Sequence, residues 1–75
     1  MPELPTVTGR QAIDAFRRIG FEEARIRGSH HVLKKPGHLY VLTIPVHGNT
    51  PLKPGTLRRL IDGAGISVGQ FTELL

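Results

Sequence analysis

Four apolar residues, Ala12, Ile13, Phe16 and Ile19, fall at i, i+1, i+4 and i+7 among the polar positions Arg10, Asp14, Arg17 and Arg18. That spacing predicts a helix with one buried stripe. Thr8 and Gln11 stand where a capping box would open it, and Gly20 where the chain would leave it. A second stripe, Leu57, Leu60, Ile61 and Ala64, follows Pro54, a residue suited to a first helical turn, and stops at Gly65. Ser67 and Gln70 form another capping pair ahead of Phe71, Leu74 and Leu75, which predicts a short terminal helix.

Between the two main helical stripes the period changes. Ala24 and Ile26 alternate with Arg25 and Arg27, so Phe21 to Arg27 is expected to be a short strand. Residues Ser29 to Lys35 and Leu39 to Val46 are rich in strand formers and flank Pro36-Gly37, which reads as a hairpin. Pro45 has no N–H for a ladder, so the second arm should end near it or lie at an edge there. His47 to Pro51 reads as a loop, and residues 1–7, with two prolines and no periodicity, as an extended lead-in. The expected order is α-β-β-β-α plus the C-terminal helix, in one domain over residues 1–75 without repeats, low-complexity tracts or linkers. We therefore expect an α+β, two-layer sandwich: a three-stranded antiparallel sheet with both main helices on one face and the other face open. Phe16, Phe21 and Phe71 are assigned to the core.

Charge decides what the open face can meet. Ten Lys and Arg against six Asp and Glu give a formal net charge of +4, and the sequence pI is about 10.4. That balance suits a polyanion or an acidic protein. The cations are dispersed at Arg10, Arg17-Arg18, Arg25 to Arg27, Lys34-Lys35, and Lys53 with Arg58-Arg59, so the fold has to assemble any patch. A chain of 75 residues has little interior to spare for an enclosed cavity, and its working surface should be shallow. The absence of cysteine excludes a disulfide framework and a thiolate metal site, and fits a reducing cytoplasm. Met1 to Pro5 lacks the basic and apolar regions of a secretory signal, and Leu39 to Val46, broken by Thr43 and Pro45, falls far short of the ~20 residues of a membrane-spanning helix.

Gly28-Ser29-His30-His31 is the segment with the most chemical content. Histidine is the side chain whose ordinary titration range lets it give or take a proton near neutral pH. Read from the residues alone, His30 is either a general base for RNA cleavage or a partly buried hairpin histidine. In a regular strand His31 projects to the opposite face from His30, so the two cannot share a surface. His31, His47 and Ser29 are supporting candidates, each with a structural alternative: a packed or edge histidine, a loop-ending histidine, and a hydroxyl that fixes the turn. Arg25, Arg27, Lys34 and Lys35 border the histidines and are suited to hold phosphate, the alternative being a solvated rim. Lys53, near a predicted helix start with Gly55 and Thr56, is a further anion-binding candidate. Tyr40 can stack on an unpaired base, although with one Tyr, three Phe and no Trp the chain is not an aromatic platform. The four histidines show no i, i+4 helical pair and no companion ligands, so neither a metal nor another cofactor is expected.

Five ordered motifs carry a resemblance that extends from about Leu4 to Leu75: Thr8-Gly9 before the first helix, Ile19-Gly20-Phe21, Arg27-Gly28-Ser29-His30, Ile44-Pro45-Val46-His47, and Lys53-Pro54-Gly55-Thr56-Leu57 with Ala64-Gly65-Ile66. Together they resemble the HicA toxin family. The resemblance implies a double-stranded-RNA-binding-domain-like fold and a metal-independent endoribonuclease acting on mRNA, with His30 as its catalytic histidine. It also implies a HicB-type antitoxin as partner, which binds the toxin and masks that histidine, in a toxin–antitoxin hetero-oligomer. Many relatives have a His-Pro-Asp-Gly-like hairpin turn where this chain has Lys35-Pro36-Gly37-His38, so no shared function is implied for a turn histidine. Two other readings stay open on the residues: a non-catalytic RNA-binding module, and a protein-interaction domain whose charge serves an acidic partner.

Overall fold

The first helix, α1 (Gly9–Arg17), starts where the sequence places it: the Thr8 hydroxyl accepts the Gln11 N–H at 3.2 Å, and the Gln11 side chain accepts the Thr8 N–H at 2.9 Å. The computed structural model in which this is seen describes residues 3–75, so the lead-in reading of residues 1 and 2 lies outside the described residues. After α1 the chain turns through Gly20, whose φ of 103° suits glycine, into β1 (Glu22–Arg27), β2 (His30–Lys34) and β3 (Leu42–Pro45). These pair antiparallel in the order β1-β2-β3. The helix α2 (Pro54–Ala64) has Pro54 in its first turn and Gly65 at φ 77° after its last. A second capping box, Ser67 with Gln70, opens α3 (Val68–Glu73).

Strand alternation divides the sheet into two unlike faces. Leu33 pairs with Leu42 and His31 with Ile44, and these four residues are buried under the helices. The same core takes Ala12, Ile13 and Phe16 from α1, Leu57, Leu60 and Ile61 from α2, and Phe21 and Phe71. Phe16 lies at its centre, with ring centroids 6.0 Å from Phe21 and 5.1 Å from Phe71. The α1 helix approaches β3 so closely that a Cβ on Gly9 would collide with the Pro45 carbonyl. The fold class, the open sheet face and the core phenylalanines are thus as expected.

Two features depart from a plain meander. Between Glu23 and Arg25 the β1–β2 register shifts, so Ala24 is an extra residue in β1. This bulge turns Glu23 to the helix side opposite Leu33, while Arg25 stays on the open face opposite Val32. The second arm of the expected hairpin is also shorter than Leu39 to Val46: only Leu42–Pro45 pair, and Leu39, Tyr40 and Val41 lie outside the strand. The chain turns already at Lys35 to His38, where the His38 N–H bonds to the Lys35 carbonyl at 3.1 Å and Gly37 has φ 77°, and a turn of this hand splays the arms it joins. His38 meanwhile draws the connection toward α2, its Nε2 2.7 Å from the Gly63 carbonyl oxygen and its ring edge-on to Phe21 at 5.3 Å.

Candidate nucleic-acid interface

The turn that carries the key histidine is the two-residue connection Gly28-Ser29 between β1 and β2, with Arg27 paired to His30 across it. Gly28 has φ 57° and Ser29 has no positive φ, the pattern of a type II′ hairpin turn. The Ser29 carbonyl accepts the Val46 N–H at 2.7 Å, which ties the end of β3 to the same turn. Ser29 thus holds the end of β3 through its backbone carbonyl. His30 emerges from this turn exposed, on the face that no helix covers.

Alternation assembles the neighbours of His30. Arg27 stands directly opposite it, Arg25 lies two positions back along β1, and Lys34 two pairs further along β2 opposite Glu22. All three cations are exposed. Among the described residues no carboxylate lies within ion-pair distance of them; the Arg10–Glu23 ion pair at 3.5 Å and the His31–Glu23 hydrogen bond at 3.3 Å are on the helix side. One face thus presents an imidazole amid cations free to meet phosphate, and Glu22 is the only acid whose register position falls on it.

His31 occupies the other face, as alternation requires. It is 7% exposed, and its Nδ1 carries the proton that the Glu23 carboxylate accepts. Glu23 also accepts from Arg10 of α1, so His31 belongs to a clasp between helix and sheet and is not brought to the surface of His30. The sequence reading missed Glu23 and Arg10, because only the bulge at Ala24 brings that carboxylate to this side. Lys35 lies just beyond β2 with its ammonium 5.7 Å from the centroid of the Phe21 ring.

His47 and Lys53 come together elsewhere. With Thr50, Pro51 and Thr56 they line a shallow depression of about 280 Å³ at the start of α2, and its remaining edge includes Pro45, the residue paired with His30. On the open face a second depression of about 380 Å³ is lined by Ala24, Arg25, Val32, Lys34 and Val41. Its apolar members were not singled out from the sequence, although Val32 and Lys34 stand at the alternate positions after His30. Among the described residues no group of three or more His, Cys, Asp or Glu is placed to hold a metal ion, and no helix is long and apolar enough to cross a membrane.

Compared with known families, residues 9–66 match the model of the family described as HicA toxin of bacterial toxin-antitoxin. No curated protein matches the chain.

Proposed function

The chain belongs to the HicA toxin family of bacterial toxin–antitoxin systems, and from that premise we propose that it is an endoribonuclease that cuts mRNA with His30 as general base. The observation that carries the reading is the position of His30: exposed on the open sheet face, opposite Arg27, with Arg25 and Lys34 on the same face and no carboxylate paired to any of them. An RNA strand laid over this face has its phosphates held by the cations and a ribose within reach of the imidazole. His30 takes the proton of a 2′-hydroxyl, the 2′-oxygen attacks the adjacent phosphorus, and the 5′-oxygen leaves with a proton from water, giving a 2′,3′-cyclic phosphate. Arg27 is placed to stabilise the negative charge that develops on the phosphoryl oxygens. His47 and Lys53, at the far side of Pro45, extend the anion-binding track.

The same exposure that suits the face to RNA makes it open to cover by a protein inhibitor. We assign that function to a HicB-type antitoxin in a toxin–antitoxin hetero-oligomer in the cytoplasm, with an acidic surface complementary to the cations.

The test is inducible expression of the wild type and His30→Ala in cells lacking the antitoxin, with RNA 5′-end mapping. General base catalysis is worth about 10²–10⁴ in rate, so His30→Ala should lose new 5′ ends and growth arrest together while keeping its helical circular dichroism. A folded His30→Ala protein that still cuts overturns the assignment. A wild type that binds RNA with salt-dependent affinity but generates no ends would instead make the chain a non-catalytic RNA-binding module.

A further inference from the structure

We propose that the open-face depression beside His30 seats the unpaired base of a nucleotide next to the cut bond, with Val41 and Val32 as its apolar contacts. This rests on the endonuclease reading above.

The bulge creates the site. With Ala24 as an extra residue, both Ala24 and Arg25 border the space over Val32, and Val41 closes it from the β2–β3 connection. Val32 is 8% exposed and forms a floor, whereas Val41, at 50%, is a rim available to a ligand. Arg25 and Lys34 complete the lining, which includes no carboxylate. An apolar floor with cations at its edge is complementary to a nucleotide, whose base has an apolar face and whose phosphate is anionic. Arg25 adds a planar guanidinium, suited to stacking on a base as well as to holding a phosphate.

Position selects a base of the cleaved strand over a protein side chain. Val32 lies two residues from His30 on the same strand and face, a separation of about 7 Å. Whatever fills the depression is therefore one nucleotide away from a phosphate attacked at His30. The connection that supplies Val41 is also the most exposed apolar segment of the described chain, with Leu39 at 95% and Tyr40 at 68%, so nothing in the fold already covers the rim.

An abasic scan tests the assignment. A short RNA carrying one mapped cleavage site is made with single abasic nucleotides at successive positions on either side of the cut bond, and single-turnover cleavage is measured with purified toxin alone. For the wild type, an abasic nucleotide at one position next to the cut should slow cleavage about tenfold, the scale of one stacked base. Val41→Ser, a polar change on a half-exposed residue outside the strands, should slow the intact RNA by a similar factor and be indifferent to that abasic position. Lys34→Gln should slow every RNA alike and keep the abasic sensitivity, as a phosphate contact would. Multiplicative effects of Val41→Ser and the abasic nucleotide, or wild-type rates in Val41→Ser, overturn the proposal. So does a Val41→Ser protein that cuts normally but escapes the HicB-type antitoxin, which would give the depression to a protein partner. If the wild type cuts no RNA, 5′-end mapping shows it before the scan begins, and the failure belongs to the endonuclease reading.

Discussion

Replacing Gly9 by Ala separates two physical rules that predict opposite signs. Gly9 is the first residue of α1, and φ there is not positive, so by backbone entropy and helix propensity alanine should stabilise by about 0.5–1 kcal/mol. Packing opposes this: the new methyl would run into the Pro45 carbonyl oxygen, with Pro45 C at 3.1 Å and Val46 Cγ2 at 3.0 Å also in its way. The obstacle is backbone of a paired strand and cannot swing aside, which puts the overpacking cost at the upper end of the usual range, about 3 kcal/mol. The net destabilisation is then about 2 kcal/mol, out of a total of roughly 4–11 kcal/mol for a chain of this length. For a domain this small, that lowers Tm by about 8–16 °C. The assay is thermal unfolding by circular dichroism in a His30→Ala background, which on the proposed mechanism is not toxic during expression. Gly55→Ala is the control, because Gly55 also lies in a first helical turn without positive φ but has nothing within 4 Å of its would-be Cβ. It should gain stability. If Gly9→Ala melts at or above its parent, the close approach of α1 to β3 is wrong, and with it the account of how β3 is held against the strand that carries His30.

Other outcomes follow from the same contacts. Phe71→Ala removes a fully buried ring from the centre of the core and should cost about 3–5 kcal/mol, enough to leave much of the protein unfolded at 37 °C in the same assay. Thr8→Ala deletes one half of the first capping box and should cost about 1 kcal/mol, read as a shift in urea midpoint at unchanged m-value. If Arg25, Arg27 and Lys34 each neutralise one phosphate, the affinity of the His30→Ala protein for single-stranded RNA should fall with salt at a log–log slope of about −2, and Arg27→Ala should reduce that slope by about 0.7. A slope near zero, measured by fluorescence anisotropy, would remove the cationic face from RNA binding.

Local rules made most of this architecture legible. Both capping boxes, the proline that starts α2 and the glycine that follows it are written within a few residues of where they act, and the helical stripes name the core residues they bury. Alternation alone separates His30 from His31. What could not be read depends on partners distant in sequence. Ala24 becomes a bulge only once β1 is laid against β2, and Glu23 meets Arg10 and His31 only because of that bulge. Likewise, strand-forming Leu39, Tyr40 and Val41 read as a continuous arm with Leu42, but the chain turns already at Lys35 to His38, and His38 pulls the connection toward Gly63. Lys35 follows Lys34 in the sequence, yet past the end of β2 its side chain lies over Phe21.

The cationic surface and its imidazole come from a single hairpin of adjacent residues, joined by the Gly28-Ser29 turn, yet a two-stranded ribbon by itself is marginal in water. Its inner side rests on a core that Phe71, near the end of the chain, completes. During synthesis the two strands therefore leave the ribosome well before Phe71 does, and the surface has its full support only once that ring has joined the core.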